Sequence, residues 1–276
     1  NKSNHKNIGP IYGSNLCCEI MQYHNPKSIA VCNLGSISLP SFVDSKNRTF
    51  DFNELGRVTM ILTENLNLVL DKNFSPVKNC IENNLNLRPI GIGVQGLADV
   101  FAMFKIVWGD EESMLLNKAI FEVIYYHSLL QSSILARKNG SYIGFEGSPF
   151  SQGILQFDMW GVAPITTNEI KKYSWEVSKL NWENLKEQVK GGMRNSMLVA
   201  PMPTASTSQI LGNNEAFEPF TSNIYTRKVI AGDFPLINIH LYNKVGDYFI
   251  LFCLLSNNST IKNGLMLLIY LINFDR

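Results

Sequence analysis

Asn15, Cys17 and Glu19 occupy alternate positions in NLCCEI (15–20). An extended backbone sends alternate side chains to one side, so this spacing predicts an amide, a thiol and a carboxylate facing one space. A thiol can do nucleophilic or redox work and a carboxylate can move a proton. The same residues also fit the commoner arrangement of a buried thiol near a surface acid. Cys32, in AVCNLGSISLP (30–40), is the one other thiol nearby in sequence. Cys18 is expected on the opposite face of the extended segment and, with Cys80 and Cys253, to be structural.

Two further segments could do chemistry. PMPTASTSQ (201–209) places Thr204, Ala205, Ser206 and Thr207 between an expected strand and an expected helical turn at 209–211. Small hydroxylated residues, backbone N–H groups and a helix start suit a phosphate, and they suit an ordinary capped turn equally well. GIGVQG (91–96) has glycines at dinucleotide-loop offsets, with Asp110 about twenty residues on. Arg88 and Pro89 interrupt the segment before it, and Asn83, Asn84 and Asn86 make that segment polar, so the glycines are expected to serve close backbone packing.

These segments need a scaffold. Leu55, Val58, Leu62, Leu66 and Val69 recur at steps of three and four and predict one amphipathic helix. A second, largely buried helix is predicted from about 115 to 137, stopping at Lys138, Asn139 and Gly140. Asn181 is expected to cap a third through Val189, with Trp182, Leu185 and Val189 on its inner stripe. MLVA (197–200) is a short apolar run suited to a buried strand. Helices alternating with such runs predict an α/β fold.

The chain has 276 residues, 45% of them hydrophobic and 17% charged, which excludes compositional disorder. Its net charge of +1 provides no field to steer nucleic acid or anionic lipid, so neither is an expected partner. The apolar runs YFILFCLL (248–255) and LMLLIYLI (265–272) fall far short of the roughly 20 residues that span a bilayer. Five cysteines, odd in number and without a C-x-x-C pair or Cys/His cluster, predict no metal site and a reducing, cytoplasmic setting. The chain opens at Asn1 without a signal-peptide pattern and reads as a fragment.

Several blocks together carry a resemblance: NLCCEI with AVCNLGSISL, RPIGIGVQGLADVFAMF (88–104), FEGSPFSQGILQFDMW (145–160), and MRNSMLVAPMPTASTSQILGNNEAFEPFTSNIYTRKV (193–229). In this order they resemble the large, catalytic subunit of class I ribonucleotide reductase. The resemblance implies part of a ten-stranded α/β barrel with a central finger loop, over residues 1–235, followed by a divergent tail, 236–276. It implies that Cys17 is the thiyl radical that abstracts the ribose 3′ hydrogen, that Glu19 takes the 3′ hydroxyl proton, and that Asn15 orients the hydroxyls. Cys32 becomes one thiol of the redox-active disulfide, its partner being a cysteine of the barrel half not in this chain. Thr204, Ala205, Ser206 and Thr207 become the diphosphate loop.

The resemblance further implies radical reduction of ribonucleoside diphosphates for deoxyribonucleotide biosynthesis and DNA replication. No cofactor is held directly: a metal-containing small subunit supplies the radical and an external dithiol the electrons. A homo-oligomer of large subunits is implied, with nucleotide effectors bound in regions outside this sequence. The family's radical-relay tyrosines and C-terminal cysteines have no counterpart in this sequence. Two other readings remain: a truncated chain that binds nucleotide or partners without turnover, and, more remotely, a nicotinamide-dependent dehydrogenase using GIGVQG.

Overall fold

The computed structural model describes residues 2–75, 77–165, 167–173, 175–230 and 232–244. Both tail runs, 248–255 and 265–272, and Cys253 lie outside these residues. The chain forms two compact units, Asn1–Pro219 and Phe220–Arg276.

In the first unit, β1 (Leu34–Ser38) passes through a 3-10 turn into a short hairpin of β2 (Val43–Asp44) and β3 (Thr49–Phe50). Helices α1 (Phe52–Lys72) and α2 (Lys78–Leu87) then carry the chain to β4 (Gly91–Gln95). β4 lies parallel to β1, with Leu34 opposite Gly91 and Ser38 opposite Gln95. Next come α3 (Leu97–Phe104), α4 (Glu111–Asn139), α5 (Gln156–Trp160), α6 (Thr167–Lys171) and α7 (Trp182–Lys190). Segment 197–200 runs parallel along the other side of β4 through the Ile92–Val199 bridge. The Ile92 N–H donates to the Leu198 carbonyl at 2.8 Å, and the Ala200 N–H to the Ile92 carbonyl at 3.0 Å. Helix α8 (Thr207–Leu211) follows. Parallel strands joined by helical crossovers make this an α/β fold, and β4, covered on both faces, is buried throughout.

The helices form where caps and stripes agree. The Asp51 side chain accepts the Glu54 N–H and starts α1, whose buried stripe runs through Leu55, Leu66 and Leu70. Val69, expected on that stripe, is exposed, because in the last turn Leu70 takes the core-facing position. α4 begins four residues earlier than its apolar pattern suggests, because the Asp110 carboxylate accepts the Ser113 N–H at 2.7 Å. Gly140, at φ 80°, ends it. Asn181 caps α7 as expected, with Leu185 and Val189 buried beneath it. α1 and α4 pack against each other, and Gly56 permits close approach: a Cβ there would lie 2.6 Å from the His127 ring.

α2 is the element that composition disguised. One of its asparagines is used inside the fold: buried Asn83 donates to Ser28 Oγ at 2.9 Å. Arg88, left-handed at φ 48°, closes the helix. Its guanidinium is 3% exposed and reaches Asp71 at 2.7 Å and the Asn67 carbonyl at 3.2 Å. Asn195 completes this buried network, donating to the Arg88 carbonyl at 2.8 Å and accepting from Ser132 at 2.9 Å. The network ties 195–196 to the start of β4 and so sets where 197–200 enters the sheet.

In the second unit, β5 (Ile224–Val229) and β6 (Gly232–Ile237) form an antiparallel ribbon, Ile224 opposite Ile237. This unit begins at Phe220. No helix among the described residues is long and apolar enough to cross a membrane.

Candidate active site

NLCCEI is a turn, not the extended segment its alternation suggested. The Cys18 N–H donates to the Asn15 carbonyl at 3.2 Å, and Cys18 adopts φ 61°. That left-handed residue breaks the period of two, so Asn15 and Glu19 meet across the turn as positions four apart. The Asn15 amide donates to Glu19 Oε1 at 2.5 Å and to Cys32 Sγ at 3.3 Å. The amide and carboxylate therefore meet the Cys32 thiol, whereas the alternation had set Cys17 beside them. Cys17, Cys18 and Cys32 are all exposed, so Cys18 is not a core thiol, whereas Cys80 is buried in α2.

Partial burial pushes the Cys32 thiol above its ordinary pKa. The Asn15 hydrogen bond opposes this by stabilising the thiolate, while negative charge on Glu19 and on Cys17 adds to the rise. Among the described residues no group of three or more His, Cys, Asp and Glu side chains could hold a metal ion.

The second cluster lies at the opposite end of the sheet. Cys32 precedes the N-terminal end of β1, whereas 201–207 leaves the C-terminal end of the parallel 197–200 segment. Gly91 and Gly93 lie within β4 instead of in a strand-to-helix loop, which removes the dinucleotide reading. A Cβ on Gly93 would come within 3.0 Å of Pro201 Cα and 3.1 Å of Met202 N, so glycine lets the start of the 201–207 loop cross β4 closely. Asp110, about twenty residues on from those glycines, is the cap of α4.

Ala205, Ser206 and Thr207 are exposed, while Thr204 is buried at φ 57°. Its Oγ1 accepts the Ala216 N–H at 2.8 Å. The adjoining 213–216 turn is held by Asp99, which accepts the Asn214 N–H at 2.7 Å, and by Ser38, whose Oγ accepts from Asn213 at 2.7 Å. Asp99 lies in 88–104 and Asn213 in 193–229. A tertiary carboxylate–amide pairing has no period to reveal it.

A cavity of about 750 Å³ follows the 196–201 edge, its walls including Glu19, Phe121, Tyr125, Trp160, Ser196 and Pro201. Glu19 Oε2 and Ser196 Oγ are buried there without a protein partner. One space thus joins the carboxylate to the start of the 201–207 loop, while Cys17 and 204–207 stand outside its walls.

The fold and site define an α/β protein that presents exposed thiols beside an amide-linked carboxylate, with a hydroxyl-rich loop beyond the carboxyl end of a parallel sheet. The family model described as ribonucleotide reductase, barrel domain, matches residues 1–250, and the chain belongs to that family. It is 53% identical over 243 residues to a ribonucleoside-diphosphate reductase large chain of Cryptosporidium parvum, covering 88% of this chain and 29% of that protein. A large subunit of Arabidopsis thaliana is 47% identical over 282 residues, covering 95% and 33%. Large chain 2 of Saccharomyces cerevisiae is 49% identical over 251 residues, covering 89% and 28%. The chain therefore spans about a third or less of the length of these relatives.

Proposed function

We propose that this chain is a portion of a ribonucleoside-diphosphate reductase large subunit and carries part of its substrate-reducing site. The observation that supports this most is the Asn15 amide bridging the Glu19 carboxylate and the Cys32 thiol, with Cys17 on the turn between. In this reading the Cys17 thiyl takes the 3′ hydrogen of the ribose while Glu19 accepts the 3′ hydroxyl proton and Asn15 holds the hydroxyls. The 2′ hydroxyl leaves as water, and two thiols, Cys32 and one supplied from outside this chain, give up two electrons as they join in a disulfide. The net change converts a ribonucleoside diphosphate and a dithiol into a deoxyribonucleoside diphosphate, a disulfide and water. Loop 204–207 holds the diphosphate.

A metal-containing small subunit supplies the radical, and an external dithiol restores the thiols. Homo-oligomers of the large subunit, effector sites beyond this chain, a cytoplasmic setting and a barrel portion over 1–235 with a divergent tail belong to the same proposal. Titration with CDP, cytidine and pyrophosphate tests the diphosphate loop: Thr207→Val should weaken CDP and pyrophosphate and spare cytidine. Equal losses for CDP and cytidine would refute the phosphate role.

A further inference from the structure

We infer that Thr204 is a positioning residue of the diphosphate loop and not one of its ligands, an inference that rests on the loop assignment above. Thr204 differs from its three neighbours in burial and in backbone conformation. It is 6% exposed, whereas Ala205, Ser206 and Thr207 face outward. It is β-branched and yet left-handed at φ 57°, a conformation that such residues rarely adopt without being held there.

Three hydrogen bonds hold it. Thr204 Oγ1 accepts the Ala216 N–H at 2.8 Å, and its carbonyl accepts the Ser208 N–H at 3.0 Å and the Ser208 hydroxyl at 2.7 Å. Ser208 is itself fully buried. The Ala216 side of this clasp is fixed to the carboxyl ends of β1 and β4. The Gly96 N–H donates to the Asn214 carbonyl at 3.0 Å, Asp99 accepts the Asn214 N–H, and Asn213 reaches Ser38. Thr204 therefore transmits the position of the sheet to the backbone of 205–207, and the left-handed step turns those residues outward. Thr204 is buried with its oxygen turned inward onto an amide, while the exposed hydroxyls of Ser206 and Thr207 are the ones placed to meet a phosphate.

Thr204→Val removes the hydroxyl and keeps the shape and branching, and Thr204→Ser keeps the hydroxyl. Amide hydrogen exchange without nucleotide should show Ala216 and 205–208 exchanging about tenfold faster in T204V, the loss of one net hydrogen bond, with T204S close to the parent. CDP binding should weaken several-fold in T204V and be rescued in T204S. If T204V does not fold, Thr204→Gly, suited to the left-handed backbone but lacking the hydroxyl, takes its place with the same expectation. Weakened CDP binding with unchanged exchange at 205–208 would make Thr204 a direct ligand and overturn the inference, as would unchanged exchange at Ala216. If the parent chain binds no CDP, the loop assignment fails, while the exchange pattern still decides whether Thr204 anchors the loop.

Discussion

The amide of Asn15 lies 3.3 Å from the sulfur of Cys32, although seventeen residues and a left-handed turn separate them along the chain. The same amide holds Glu19, so Asn15 sets both the geometry and the charge around the Cys32 thiol. Two substitutions should then move Cys32 in opposite directions. Asn15→Ala removes a donor to the thiolate and should slow alkylation of Cys32 by iodoacetamide near neutral pH. Glu19→Gln removes a nearby negative charge and should speed it. Mass-spectrometric rates for the Cys32 peptide decide this, and changes in the same direction would show that Asn15 does not act through the sulfur.

His5 should make stability depend on pH. Burial lowers its pKa to about 4, and its Nδ1 accepts the Tyr23 N–H at 3.1 Å. The ring is therefore neutral when folded, while in the unfolded chain it protonates near 6.5. Between these values the unfolded state binds more protons, so this contribution is fully present above about 6.5 and is lost as pH falls toward 4, by about 3 kcal/mol at most. His127, also held low by burial, acts in the same direction. Urea unfolding at pH 7 and pH 4.5 should show a smaller loss for His5→Asn than for the parent. An equal loss would remove His5 from the account.

Gly93→Ala and Gly35→Ala should differ in cost. A Cβ at 93 meets the backbone of Pro201 and Met202, which cannot move without shifting the loop, whereas one at 35 meets the end of the Leu62 side chain at 2.9 Å. Overpacking against backbone predicts a loss of about 1–3 kcal/mol for G93A and distinctly less for G35A. Thermal melts of the two variants check the order, and CDP titration checks whether displacing 201–202 reaches the loop.

Asn195→Ala should be the most damaging of these substitutions to stability. It strips partners from Asn67, Ser132 and the Arg88 carbonyl, all within a buried network, and leaves several groups unsatisfied at once. A loss of roughly 2–4 kcal/mol is expected in urea unfolding. A change below about 1 kcal/mol would mean that the network relaxes or admits water.

The long-period features were legible in sequence because they answer to one physical demand each. α1 and α7 follow from a buried stripe and a side-chain cap, and Gly140 from the need for a left-handed stop. The buried glycine strand was half legible. Its packing role was read correctly, but the polar segment before it hid α2, because Asn83 and Arg88 find buried partners that only the tertiary fold provides. The candidate site was legible as residue types and not as geometry. Alternation predicted one face for 15, 17 and 19, and a single left-handed Cys18 replaced it with a turn. Likewise, hydroxyl content marked 204–207 without showing that Thr204 bonds inward while Ser206 and Thr207 remain exposed.

The polypeptide of residues 1–276, by itself, should not sustain reduction of CDP even when mixed with an active small subunit and a dithiol. Each turnover takes two electrons from a thiol pair, and a disulfide at Cys32 requires a second cysteine with Cα atoms within about 7 Å. Cys80 is buried in α2 and cannot be attacked without opening the helix, and Cys253 stands in a tail segment that no motif links to the site. Cys17 is needed for the 3′ hydrogen, and consuming it in a disulfide would end the reaction. Cys18 is exposed, but its backbone is committed to the turn that places Asn15 and Glu19, so pairing it with Cys32 would distort the site it serves. The measurement is deoxycytidine diphosphate formed per chain over time. Less than one equivalent is expected, and steady product formation would reveal a thiol pair and a radical route within these residues.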